Sequence, residues 1–201
     1  MKWCINSPLE QVDMIDPKGK ARLRMSIETG TLEAYRVRAR NTNVNDVTLL
    51  ATDYLNHFNE ALMLAELVMD MPDMLDEFIG WGPCSYKDHF AASGIADKEL
   101  AIEAYAFSPT EYKQPFETTI RRLDTEIRSL QSCLGTSEGL DGVQNVRAAA
   151  EHQCQIIREL IDNAGAIING KLREAHMQSF SMSTETGEAN LDQDEINALF
   201  G

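Results

Sequence analysis

The sequence predicts an all-α fold, an antiparallel helical bundle with short helices in its middle section and a flexible C-terminal tail. Three observations carry this. Long segments repeat apolar residues every three or four positions, few segments alternate as strands do, and the turns between the long segments are short. With 201 residues and an apolar fraction of 43%, one compact domain is the expectation. The bundle is assigned to 1–177, an acidic linker to 178–190 and a terminal peptide to 191–201.

The first fifteen residues have no clear period and read as an extended lead-in. Asp16-Pro17 reads as a cap and first helical residue, because the carboxylate accepts free N–H groups and proline has none to lose. Leu23, Ile27, Ala34 and Val37 then share one face of a helix reaching about Arg40, although Gly30 on that face weakens it. Thr42-Asn43 and Asn45-Asp46 end it. A second helix is predicted from Asp46 to Met69, with Leu50, Tyr54, Phe58, Leu62 and Ala65 as its buried stripe and Pro72 beyond its end.

Between Pro72 and Pro109, Gly80, Gly82-Pro83 and Gly94 punctuate the chain. Short helices are expected over Met74–Trp81, Ser85–Ala92 and Asp97–Phe107, folded over one end of the longer ones. Trp81, Tyr86 and Phe90 either line a cleft or anchor this section. Ser108-Pro109-Thr110-Glu111 has the pattern of a capping box, with Pro115 as an alternative helix start. Phe116, Ile120, Leu123, Ile127, Leu130 and Leu134 form an apolar seam, and Gly135 with 137–142 makes the turn. The last long helix carries Val146, Ala149, Gln153, Ile157, Leu160, Ala164 and Ile167, with Gln153 interrupting its seam.

Charge and composition narrow the function. A formal charge of −14 disfavours binding to nucleic acid or to an anionic membrane and suits a basic partner surface. No apolar run is long enough to span a bilayer, so no membrane insertion is expected. The start, Met1-Lys2-Trp3-Cys4, lacks the apolar stretch of a secretory signal, and Cys4, Cys84, Cys133 and Cys154 have no metal-like spacing. Reduced thiols and a cytoplasmic location are expected. Asp53, His57 and Glu60 share a helical face at spacings a metal could use, but a single histidine in a solvated face is the simpler reading, and no metal or cofactor is expected. Glycine-rich phosphate loops, nucleophile elbows and His/Cys clusters are missing from the sequence, so nothing on the bundle names a reaction.

The tail is more informative. From 178 to 201 there are five acidic residues and no Lys or Arg. Residues 178–190, rich in Ser, Thr, Gly, Glu and Asn, cannot bury enough apolar surface to order themselves, and as a coil they span about 20 Å. In Leu191-Asp192-Gln193-Asp194-Glu195-Ile196-Asn197-Ala198-Leu199-Phe200-Gly201, Asp192 and Glu195 make a capping box. Leu191 and Ile196 sit where a hydrophobic staple needs them, and Ile196, Leu199 and Phe200 share one face. Isolated helices shorter than roughly 12–15 residues are marginal in water, so such a peptide gains its helix against a groove, on a partner or on its own bundle.

This peptide resembles the segment with which flagellar-switch proteins of the FliM type capture the phosphorylated response regulator CheY. Leu191, Gln193, Asp194, Glu195, Ile196, Ala198 and Leu199 match that pattern; Asp192, Asn197 and Phe200 depart from it while preserving the cap and the apolar face. The match covers about a twentieth of the chain, at the opposite terminus from the switch proteins. The layout of bundle, linker and terminal docking helix is also similar to that of CheZ, a phosphatase acting on the same regulator. That resemblance implies an Asp and a Gln four residues apart on one helix face. No such pair occurs; Glu151 with Gln155 and Glu174 with Gln178 keep the spacing with a longer carboxylate. The resulting expectation is a chemotaxis adaptor whose terminal peptide binds a CheY-like receiver domain, with a homodimer through the bundle helices as a further possibility. Its alternatives are a divergent receiver phosphatase and a scaffold with a self-packed tail.

Overall fold

The computed structural model describes residues 31–136 and 144–172. Residues 31–39 form α1, followed by α2 (Leu55–Asp70), α3 (Leu75–Gly80), α4 (Tyr86–Ala92), α5 (Lys98–Ala104), α6 (Thr110–Thr136) and α7 (Gln144–Ile168). One-turn 3₁₀ segments at Thr52–Tyr54, Pro72–Met74 and Tyr105–Phe107 link the shorter pieces. Among the described residues the fold is all-α, and an isolated bridge between Val44 and Ala51 is its sheet-like pairing.

The three long helices make the core. Phe116, Leu123, Ile127, Leu130 and Leu134 of α6 are all buried, as their spacing predicts; Ile120 is half-buried at the edge. They meet Cys154, Ile157, Leu160, Ala164 and Ile167 of α7 and Phe58, Leu62, Ala65 and Val68 of α2. Helix directions follow from contacts at the ends. Thr48 touches both the start of α6 at Ser108 and the end of α7 at Ile168, so those two helices are antiparallel. Arg147 near the start of α7 reaches Asp70 at the end of α2, while Gly165 faces Leu55, so α2 also runs against α7. Fully burying each of these large side chains contributes about 1.5–3 kcal/mol against leaving it exposed.

Several predicted elements shift. Ala34 and Val37 are exposed, and α1 instead turns Leu32, Tyr35 and Ala39 toward the core. The second helix begins at Leu55, not Asp46, because short polar side chains capture the preceding backbone. Asn45 Oδ1 accepts from the N–H groups of Val47 and Thr48 at 2.9 and 3.0 Å, and Thr42 Oγ1 accepts from Val44 N–H. Leu49 stands in this loop at φ 57°, a conformation costly for a leucine, with its side chain wholly buried. Leu50 is buried as expected, but from the loop.

In the middle section all three short helices form, within a residue or two of their predicted ends except where the third finishes as a 3₁₀ turn. Ser85 caps α4, accepting from Asp88 N–H and donating to Asp88 Oδ2. Trp81, Tyr86 and Phe90 are buried and anchor this section. Ser108 does not serve the predicted capping box: its hydroxyl donates to the Thr48 carbonyl at 2.7 Å. Pro109 supplies its carbonyl to Tyr112 and Lys113 N–H, and Pro115 lies inside α6 rather than at its start. Gly135 belongs to the last turn of α6, Ala149 is exposed, and Ala150 takes its place in the α7 seam. Gly170, at φ 77°, reverses the chain after α7 while Lys171 N–H bonds the Ala166 carbonyl.

Candidate functional site

An open groove of about 330 Å³ lies where the start of α4 and the 105–107 turn meet the first half of α6. Tyr54 enters it from the turn before α2, Pro83, Cys84, Ser85 and Tyr86 from the approach to α4, and Tyr105 from the 3₁₀ turn. Helix α6 supplies Phe116, Glu117, Ile120, Arg121 and Asp124, whose three- and four-residue spacings put them along one side of the helix.

The tyrosine hydroxyls are engaged. Tyr54 donates to the Cys84 carbonyl at 2.7 Å, Tyr86 Oη accepts from Ala51 N–H at 2.9 Å, and Tyr105 donates to Glu117 Oε1 at 2.9 Å. Burial pushes all three phenols well above their ordinary range, so none supplies a phenolate near neutral pH. Their rings pack as an array: Tyr86 stacks on Tyr105 with centroids 4.5 Å apart, and Tyr54 lies 5.2 Å from Tyr86 and 6.0 Å from Phe116. Lys113 Nζ stands 4.4 Å above the Tyr105 ring. The Cys84 thiol is also held up, by burial and then by Asp88, so it is a poor nucleophile.

Asp124 is the exception to this satisfaction. Its Oδ1 is shielded from solvent and has no hydrogen-bond donor. Burial raises its carboxyl above the ordinary value, with Arg128 opposing. Arg121 Nη2 is turned to Thr118 Oγ1 at 3.0 Å. The groove thus combines aromatic walls, engaged hydroxyls and a carboxylate oxygen without a partner. It can bind, but it lacks an activated nucleophile.

Below it, His57 stacks on Trp81 at 4.6 Å, with the His89 ring 6.2 Å away. The Nε2 atoms of both histidines are shielded and without a partner. Burial, and then His89, hold the His57 imidazole below its ordinary pKa. Asp53, the proposed companion of His57, accepts from Asn43 Nδ2 at 2.5 Å. Among the described residues no three His, Cys, Asp or Glu side chains are placed to hold a metal ion.

The pair Glu151 and Gln155 lies exposed on α7, each member tied to its own helix. Glu151 pairs with Arg147 at 2.9 Å, and Gln155 donates to Glu159 while accepting from Arg158. Gln153 bonds Glu126 across the α6–α7 interface, satisfying the polar break in the seam. Glu174, Gln178, the linker and the whole 191–201 peptide lie outside the described residues. Of the cleft candidates Trp81, Tyr86 and Phe90, Tyr86 lines the groove; sequence reasoning missed its α6 side. Its one local signal was the spacing of Glu117, Arg121 and Asp124 beside the apolar seam, a pattern shared with many solvated helix faces. Compared with known proteins, the chain matches no family model, no curated protein and no solved structure.

Proposed function

We propose that this protein is a chemotaxis or motility adaptor whose terminal peptide, 191–201, captures a CheY-like receiver domain, preferentially phosphorylated. The observation that carries the reading is the peptide's own sequence: a complete capping box at Asp192 and Glu195 with an apolar face of Ile196, Leu199 and Phe200. On binding, that face is buried in the receiver groove, and Asp192, Asp194 and Glu195 favour the helix N-terminus while facing basic residues. The tethering of Glu151 by Arg147 and of Gln155 by Glu159 and Arg158 favours an adaptor over a phosphatase acting through that pair.

The test is fluorescence titration of a labelled 188–201 peptide against CheY-type receivers, with and without a phosphoryl mimic. Saturable binding that strengthens with the mimic is expected. Equal, negligible binding to every receiver removes the proposal.

A further inference from the structure

Independently of the tail, we propose that the groove between α4 and α6 binds a small organic ammonium ion, with Asp124 as its counter-ion. A carboxylate oxygen that is out of water and lacks a donor is costly, and a charged donor is the group that best offsets the cost. No hydrogen-bond donor reaches Oδ1, although Arg128, one turn along α6, offsets part of the charge without bonding it. Arg121 is turned to Thr118, Glu117 is occupied by Tyr105, and Tyr54 gives its proton to the Cys84 carbonyl.

The walls fit the same ligand. Tyr54, Tyr86, Tyr105 and Phe116 converge around the cleft, and aromatic rings beside a carboxylate are the chemistry that recognises alkylammonium groups. An anion would meet Asp124 and Glu117, and a neutral ligand would leave Oδ1 without a donor. At about 330 Å³ the cleft is at the small end of ligand sites, suited to an amine of a few carbons. The protein's charge of −14 draws cations toward it.

The experiment uses the full chain and isothermal titration with butylammonium, tetramethylammonium, butanol, butyrate and Nα-acetyl-lysine amide. Saturable binding of an ammonium below about 10 mM, absent for butanol and butyrate, is expected. Asp124→Asn, with unchanged helicity by circular dichroism, should weaken it about tenfold or more, the loss of one charge-assisted hydrogen bond. Chemical-shift changes on ammonium addition, confined to Tyr54, Tyr105 and the Asp124 turn of α6, give a second readout. Equal binding of butanol, undiminished binding by Asp124→Asn, or no saturation by butylammonium, the free ammonium with N–H groups to donate, overturns the proposal. Binding of the lysine amide alone also overturns it, in favour of a partner's lysine side chain.

Discussion

The hydroxyl of Thr48 donates to the carbonyl of Ile168 at 2.6 Å, joining a loop before α2 to the last turn of α7 across 120 positions of sequence. The Thr48 carbonyl in turn accepts from Ser108 at the head of α6. One wholly buried threonine therefore closes the end of the bundle where all three long helices meet. Replacing it with valine keeps the shape and leaves the Ile168 carbonyl without its donor. Thr48→Val should cost about 1–3 kcal/mol, read as a lower urea midpoint. An unchanged midpoint would show that this closure contributes nothing to stability.

A second pin lies at the opposite end. Gln131 Nε2 donates to the carbonyls of Phe78 at 2.7 Å and Trp81 at 2.9 Å, fixing the end of α3 on α6. Gln131→Leu removes the side-chain donor from both carbonyls, leaving that of Phe78 with the Trp81 N–H alone, and is expected to cost roughly 1–2 kcal/mol. Faster amide exchange should appear at residues 78–83 before the rest of the bundle.

Stability should fall on acidification through the histidine range. Burial and His89 lower the folded-state pKa of His57 below 6.5, with Glu60 and a hydrogen bond to the Gly82 carbonyl opposing. Just below pH 6.5 the unfolded chain therefore binds more protons than the folded one. The stability present above that pH is lost as the pH falls toward the folded value. His57→Phe keeps a ring against Trp81 and should flatten this slope in denaturation curves taken between pH 7 and pH 5. An equal slope in both proteins would assign it to other groups.

The thiols should separate by reactivity. Cys154 is buried, and its pKa is pushed up to about 11 by burial and then by Glu66, with Arg158 opposing; Cys133 is exposed. Alkylation of the native protein at neutral pH, followed by peptide mass spectrometry, should show Cys154 reacting at least about tenfold more slowly than Cys133. In urea the difference should vanish.

Truncation tests the division between body and tail. If the terminal peptide serves a partner as proposed, a chain ending at Met177 should melt within a degree or two of the full protein. It should also lose all receiver binding. A large drop in its melting temperature would instead mean that the tail packs on the body.

The fold was legible wherever a long helix buries one stripe. The α6 seam from Phe116 to Leu134 could be read from spacing alone, because burial of a helix face imposes that spacing. Reading failed where the choice was between neighbours of similar chemistry, as with Ala149 and Ala150, a difference of about 100° around the helix. It failed again at 44–51, where Asn45 and Thr42 take backbone N–H groups that a helix would otherwise use.

By itself the sequence determined the all-α class, the long helices and the short ones between them, because periodicity and caps are local properties. Only the tertiary structure decided that Ser108 serves Thr48 rather than its own helix, and that Asp124 shares a groove with tyrosines from three other elements. Those relationships join residues dozens of positions apart, and packing of the whole bundle brings them within reach.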